Sequence, residues 1–233
     1  MAKRHPGSRR VKSHGYDNDP DDLFVARVLH LGKFAQSNQQ LLTILAIVGA
    51  IIIAGLLYYR NYRVVHAQQA AQQLEMVYQS LTIQDEQGAK DQLVTFLERF
   101  SGTPYEGEAR LLLGELYLAD GQSQQAQAVL APLGSSPREP IELQGATLLA
   151  AAYEEEERWS DAERIYLEIA DRSELDFQVR DALSAAARIR ASQGNAQGAI
   201  ELYQRVLSGL EENAPERGQY EMRIQEIRSG AST

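Results

Sequence analysis

The chain contains no cysteine among its 233 residues. This absence excludes disulfide bonds, thiolate zinc sites, cysteine nucleophiles and the lipid-modified cysteine that anchors bacterial lipoproteins. A chain without cysteine is compatible with an oxidising compartment but does not require one.

Signals of catalysis are also scarce. The run EEEE at 154–157 is interpreted as a solvated helix end, because adjacent residues do not share one helix face. No Gly-rich phosphate loop occurs, and no nucleophile motif surrounds Ser135 or Ser136. None of the four histidines has the i, i+4 spacing of a helical metal pair: His5, His14, His30 and His66. The sequence therefore predicts no enzyme activity, no cofactor, no metal site and no small-molecule substrate.

Charge is missing from residues 41–59, LLTILAIVGAIIIAGLLYY. A helix of about 20 apolar residues crosses the roughly 30 Å hydrocarbon core of a bilayer. A buried helix of a soluble core is usually shorter and amphipathic. A cleaved signal peptide would have a shorter charged head, and a small-x-small site would follow the apolar run. The run therefore predicts a retained transmembrane helix.

The charges on either side of this run predict its orientation. Residues 1–40 carry a net charge of +3 and residues 60–233 a net charge of −12. By the positive-inside rule, the N-terminus is predicted to lie in the cytoplasm and the acidic body outside it. A count restricted to the four basic residues nearest the run gives a tie: Arg27, Lys33, Arg60 and Arg63.

The segment before the apolar run falls into two parts. Residues 1–18 are polar and basic and predict a flexible tail near anionic lipid, with no nucleic acid expected as a partner. Residues 19–37 predict an amphipathic juxtamembrane helix, with Asp19 as its N-cap and Pro20 at its first position. Such a helix can lie on the inner leaflet or dock on the membrane helix of a partner.

The acidic body contains an internal repeat. The segments LGELYLADGQSQQAQAVLAPL, LAAAYEEEERWSDAERIYLEI and AARIRASQGNAQGAIELYQRV share a pair of small or aliphatic residues, a break, and an alanine. The alanines Ala126, Ala162 and Ala199 lie 36 and 37 residues apart. This pattern resembles the tetratricopeptide repeat, whose unit is a helical hairpin of about 34 residues. A degenerate fourth unit with Ala89 in the alanine position precedes the three, and a closing helix after Pro215 predicts a cap.

The repeat predicts an all-α fold, with one transmembrane helix followed by a solenoid of three to four helical hairpins over residues 64–233. Gly114 is predicted to allow close approach of a bulky neighbour, and Gly121 to break the chain into a turn. The residues predicted to pack the repeats are Leu113, Gly114, Tyr117, Ala126, Leu149, Ala150, Tyr153, Ala162, Ala186, Ala187, Ala199 and Tyr203.

In this architecture the first helix of each hairpin lines a groove that can hold a peptide or a helix of another protein. The groove is predicted to be mixed in polarity and mildly acidic. The predicted groove residues are Glu115, Gln144, Thr147, Ala151, Glu154, Asp181, Ser184 and Arg188.

The order of these parts resembles that of a known family. From about residue 23 to the C-terminus, the chain resembles the ancillary subunit family of the bacterial Sec translocon. This resemblance implies association with the SecYEG channel and a periplasmic chaperone, between which exported proteins pass. It implies protein partners, membrane lipid, a location in the bacterial inner membrane with a periplasmic C-terminal domain, and no catalytic residues.

Two other functions remain open at this point. The same architecture can act as an envelope scaffold for cell division or outer-membrane assembly. It can also recruit an envelope peptidase or synthase without being an enzyme itself.

Overall fold

The computed structural model describes residues 39–135 and 137–230, and every regular element in these ranges is an α-helix. The predicted basic tail (1–18) and juxtamembrane helix (19–37) lie outside the described residues. The nine helices of the described ranges are α1 Gln39–Thr82, α2 Glu86–Arg99, α3 Glu106–Ala119, α4 Ser123–Gly134, α5 Pro140–Glu155, α6 Trp159–Arg172, α7 Asp176–Ser192, α8 Ala196–Ser208 and α9 Arg217–Ser229.

Helix α1 is 44 residues long and begins with the uncharged run. Its most apolar 18-residue window has no buried residue, and by length and composition the helix is a candidate membrane span. The sequence predicts separate elements before and after residues 60–63, but the helix continues to Thr82. The reason is local, since neither glycine nor proline occurs between Gly55 and Thr82 to end a helix.

The chain divides into two compact units, Met1–Asn61 and Tyr62–Thr233. Within the second unit, the end of α1 pairs with α2, and the pairs α3/α4, α5/α6 and α7/α8 follow. Each pair is joined by three residues, so the unit contains four helical hairpins and the closing helix α9.

The four hairpin turns share one backbone geometry. The middle residue of each turn has a positive φ angle: Gln84 (62°), Gly121 (69°), Glu157 (56°) and Gly194 (78°). The N–H of the next residue donates to the carbonyl five residues earlier in all four turns, at 2.8–2.9 Å. These positions recur every 36 or 37 residues. The predicted repeat fold is therefore confirmed, and the segment before the three aligned repeats is a fourth hairpin.

Small residues let the helices of each hairpin approach closely. Ala126, Ala162 and Ala199 are each 0% exposed. Of the residues predicted to pack the repeats, Tyr117 and Tyr153 are half-buried and the others are buried.

Three glycines, Gly114 on α3, Gly134 on α4 and Gly145 on α5, lie where a larger side chain would clash. A Cβ atom added to Gly114 would lie 2.5 Å from Cδ2 of Leu130, which is 0% exposed. Gly134 faces Leu149, and Gly145 faces Leu133, at the same 2.5 Å. Three glycine–leucine pairs therefore set the spacing of these helices.

Helix α9 covers the C-terminal hairpin. Tyr220 and Ile224 are buried, and the ring of Tyr220 lies 6.2 Å from that of Tyr203 on α8. Arg217 donates to the carbonyls of Leu207 and Leu210, at 2.9 and 3.2 Å, which links the start of α9 to the end of α8.

Candidate binding groove

A groove of about 590 Å³ lies between the first helices of the third and fourth hairpins, α5 and α7, with α6 contributing to its lining. Both apolar and polar side chains line it. The lining residues are Pro140, Gln144, Thr147, Leu148, Tyr166, Ile169, Phe177, Gln178, Asp181, Ala182, Ala185 and Arg188.

Phe177 is the largest exposed apolar side chain of this groove. It is 53% exposed, and Leu175 just before it is 47% exposed. Asp181 follows Phe177 by four residues and therefore projects from the same face of α7. Single exposed apolar side chains are common on protein surfaces and do not by themselves indicate a binding site. An aromatic ring beside a groove, in contrast, offers a bound segment a large and rigid apolar surface.

A hydrogen-bonded network links the three helices of the groove. The hydroxyl of Tyr166 donates to Oε1 of Glu154 at 2.8 Å. The guanidinium of Arg188 donates to both carboxylate oxygens of Glu154, at 2.9 and 3.0 Å. Glu154 is on α5, Tyr166 on α6 and Arg188 on α7, so one carboxylate connects all three.

The network fixes the charge state of its tyrosine. Burial raises the pKa of Tyr166 above its usual value, and the hydrogen bond to the Glu154 carboxylate raises it further. Tyr166 is therefore a neutral donor at physiological pH, and the charge of Arg188 is balanced by Glu154.

This network corrects the interpretation of the EEEE run as a solvated helix end. The side chains of residues 155–157 are exposed, as expected for a helix end, but Glu154 is half-buried. The difference follows from helix geometry, because successive residues point about 100° apart and only Glu154 is directed toward α6 and α7.

The structure brings four of the predicted groove residues together as lining: Gln144, Thr147, Asp181 and Arg188. Glu154 lies beside them through its pair with Arg188. Ser184 is half-buried, and its hydroxyl donates to the carbonyl of Arg180 at 2.7 Å. Ala151 is half-buried on α5, and neither residue lines the groove.

Glu115 is exposed on α3, one hairpin earlier, and does not line the groove. Although the residue is exposed, neighbouring protein atoms partly desolvate its carboxyl and so raise its pKa above the usual value. Near the end of α1, the hydroxyl of Tyr78 donates to the carboxylate of Glu108 on α3. That hydrogen bond, together with burial and the neighbouring carboxylates, raises the pKa of Tyr78 to about 12.

The sequence interpretation missed Tyr78 and Glu108, although a usable signal was present. Tyr78, Glu115, Ala151 and Arg188 each lie six residues before the positive-φ residue of their turn. Glu108, Gln144 and Asp181 each lie thirteen residues before it. Extending this register to the first hairpin would have identified Tyr78, and extending it to the second would have identified Glu108. Phe177 gave no such signal, because it is the second residue of α7 and precedes the two positions that this register compares.

Two other depressions fit a bound segment less well. The larger, about 750 Å³, is lined only by residues of α6 and has no opposing wall. Its charged side chains pair with one another, for example Arg172 with Glu168 at 3.0 Å. The third, about 420 Å³, lies between α2, α3 and α4 on the side of the second helices.

No group of three or more histidine, cysteine, aspartate or glutamate side chains in residues 39–135 and 137–230 is arranged to hold a metal ion. Of the two charged side chains that line the groove, Arg188 pairs with Glu154 at 2.9 Å.

Comparisons with known proteins agree with this geometry. Residues 33–229 match the family model described as Tetratricopeptide repeat-like domain. No curated protein matches the sequence significantly.

Two solved structures have a similar fold. One contains the nearly identical TPR-like repeats of a Podosopora anserina protein described as a kinesin light chain, with a TM-score of 0.54 and 20% identity. The similarity covers 71% of this chain and 88% of that one. The other is a tetratricopeptide repeat protein from Parabacteroides merdae ATCC 43184, with a TM-score of 0.59 and 15% identity, covering 70% of this chain and 61% of that one.

At these identities the two structures show the fold alone. The family model, in contrast, matches residues 33–229, which include all nine helices of the described ranges. The chain therefore belongs to the tetratricopeptide repeat-like domain family.

Proposed function

We propose that the protein is a membrane-anchored adaptor that binds other proteins through the groove between α5 and α7. The observation that carries this proposal is the groove itself, in which an exposed aromatic ring lies beside polar and charged side chains. Concave or grooved surfaces of helical repeats are suited to segments of other proteins.

The proposed location is a bacterial inner membrane, with the N-terminus in the cytoplasm and the repeats outside it. The apolar part of α1 and the basic residues before it support this orientation. A reporter enzyme that is active only outside the cytoplasm, fused after Thr233, should be active. A cytoplasmic signal would reverse the orientation.

The finer proposal is an ancillary subunit of the Sec translocon, which links the channel to periplasmic chaperones or exported clients. It is supported by the order of tail, membrane helix and repeats, which resembles that of the ancillary subunit family. The protein would then act by holding partners together and not by catalysis.

Photo-crosslinking from the uncharged half of α1 tests the finer proposal. A photoreactive residue placed successively at positions 44, 48 and 52 should capture channel subunits in growing cells. A second set placed at Phe177 should capture a chaperone or an exported protein, and the matched position Met222, 56% exposed on α9, should not.

Different captured proteins would identify the alternatives. Division or outer-membrane assembly proteins, captured without channel subunits, would replace the translocon by an envelope scaffold. Capture of an envelope peptidase or synthase alone would make the protein a recruiter of that enzyme. Equal capture from Phe177 and Met222 would contradict a role for the groove.

A further inference from the structure

We infer that the groove between α5 and α7 selects a protein segment in which an apolar side chain lies next to a lysine or arginine. This inference rests on the proposed use of the groove for protein binding and adds the chemistry of the partner. The apolar side chain packs on Phe177, and the cation pairs with Asp181.

The first step is the balance of charge within the groove. Its lining contains one cation, Arg188, and one anion, Asp181. Arg188 is already paired with Glu154 at 2.9 Å. Asp181 has no cationic side chain within 4.0 Å among residues 39–135 and 137–230. The groove therefore has an unbalanced negative charge at Asp181.

The second step is the apolar surface beside that charge. Phe177 precedes Asp181 by one helical turn, and Leu148 and Ala185 belong to the same lining. An incoming apolar side chain can cover the exposed ring while a neighbouring cation reaches the carboxylate. An acidic segment would instead approach Asp181 with a like charge, which is unfavourable at short range.

The third step is the electrostatic field around the groove. On the first helices, Glu108 and Glu115 occupy the same repeat positions as Asp181 and Arg188, two hairpins earlier. Neither glutamate has an ion-pair partner within 4.0 Å among the described residues. These two carboxylates on α3 add to the negative field on the side of the first helices, which favours a basic segment beyond the single pair at Asp181.

Binding of defined peptides to the full chain tests the inference. The chain is placed in nanodiscs of phosphatidylcholine, which carries no net charge, and empty nanodiscs give the background. Three labelled 12-residue peptides are compared by fluorescence anisotropy. The first alternates leucine or phenylalanine with lysine, the second has glutamate in place of lysine, and the third has serine in place of the apolar residues.

The first peptide should bind most tightly, and its affinity should fall as salt is raised. Asp181→Asn should weaken binding about threefold, as expected for an exposed ion pair. Phe177→Ser should weaken it about tenfold through loss of apolar contact. Asp91→Asn on α2 and Met222→Ser on α9 are matched controls that should leave binding unchanged.

Each other outcome has a distinct meaning. If the acidic peptide binds as well as the basic one and Phe177→Ser weakens both, the groove is a binding site but the inferred charge preference is wrong. If the basic peptide binds equally to all variants, the site is elsewhere. If none of the peptides binds, both the inference and the proposed binding function of the groove are contradicted. Identical far-UV circular dichroism of the variants excludes unfolding, since both altered side chains are exposed.

Discussion

Gly114→Ala is the substitution that most directly tests how the hairpins pack. Its Cβ would lie 2.5, 2.6 and 2.8 Å from Cδ2, Cγ and Cδ1 of Leu130. Carbon atoms in ordinary contact are separated by about 3.5–4.0 Å, so Leu130 must move by about 1 Å. Leu130 is 0% exposed, so its movement must displace other core side chains.

Two effects of opposite sign decide the outcome. Replacing glycine by alanine inside a helix stabilises it by about 1 kcal/mol. Overpacking a filled core costs about 1–3 kcal/mol. We expect the cost to exceed the gain, so that the free energy of unfolding of Gly114→Ala falls by about 1 kcal/mol. Gly218→Ala on α9 is the control, because no atom lies within 4 Å of its added Cβ. It should be unchanged or stabilised.

Urea unfolding of the full chain in detergent micelles measures the difference. Trp159 is the single tryptophan and packs against the larger core cluster, so its fluorescence reports loss of that core. With a urea m-value of about 2 kcal/mol/M, the midpoint of Gly114→Ala should fall by roughly 0.5 M.

A second substitution identifies the cause. Leu130→Ala alone should cost about 2–5 kcal/mol. In the Gly114→Ala background its cost should be smaller by about 1 kcal/mol, since the clash is removed. The reasoning is refuted if Gly114→Ala is as stable as Gly218→Ala, or if the two substitutions near Leu130 are additive.

Three further predictions use the same unfolding assay. Glu157→Gly should stabilise the protein by about 0.5–1 kcal/mol, because a left-handed conformation is unfavourable for glutamate and not for glycine. Arg188→Gln should cost less than about 1 kcal/mol, because Arg188 is 64% exposed and Glu154 keeps its bond from Tyr166. The folded protein raises the pKa of Tyr78 to about 12, so protonated Tyr78 stabilises the folded state. This contribution to the free energy of unfolding is complete below pH 10 and is lost as the pH rises from 10 to 12. The free energy of unfolding of Tyr78→Phe should therefore fall less steeply over that range.

Each of these predictions has a contradicting result. Destabilisation by Glu157→Gly would mean that the glutamate side chain contributes more than its backbone costs. A loss well above 1 kcal/mol in Arg188→Gln, unchanged in 1 M NaCl, would contradict a surface ion pair. Parallel pH profiles for the protein and Tyr78→Phe would mean that Tyr78 ionises at its ordinary pKa, and absorbance at 295 nm would show this directly.

The repeat could be predicted because its signal is local. The spacing of Ala126, Ala162 and Ala199 reflects helix pairs that each need a small residue at the same place. The first hairpin was harder to recognise, since Gln84 stands where the second and fourth turns have glycine. Only the backbone angles show that the same turn occurs there.

The site was less predictable than the fold. Repeat register predicted Gln144, Thr147, Asp181 and Arg188 as groove residues, and all four lie in the lining of the groove between α5 and α7. It could not show that Arg188 is neutralised by a carboxylate 34 residues earlier, or that Phe177 stays exposed. Both depend on how neighbouring hairpins are rotated against each other, which the sum of many side-chain contacts decides.

The sequence by itself determined the uncharged run, the charge difference across it, the absence of thiol chemistry and the helical repeat. These are properties of composition and of short periodic patterns, which each segment carries independently. The tertiary structure alone decided which leucine lies against Gly114, which of four adjacent glutamates joins a network, and which anion of the groove remains unpaired. Those outcomes depend on residues far apart in the chain, whose contacts exist only when the helices are packed.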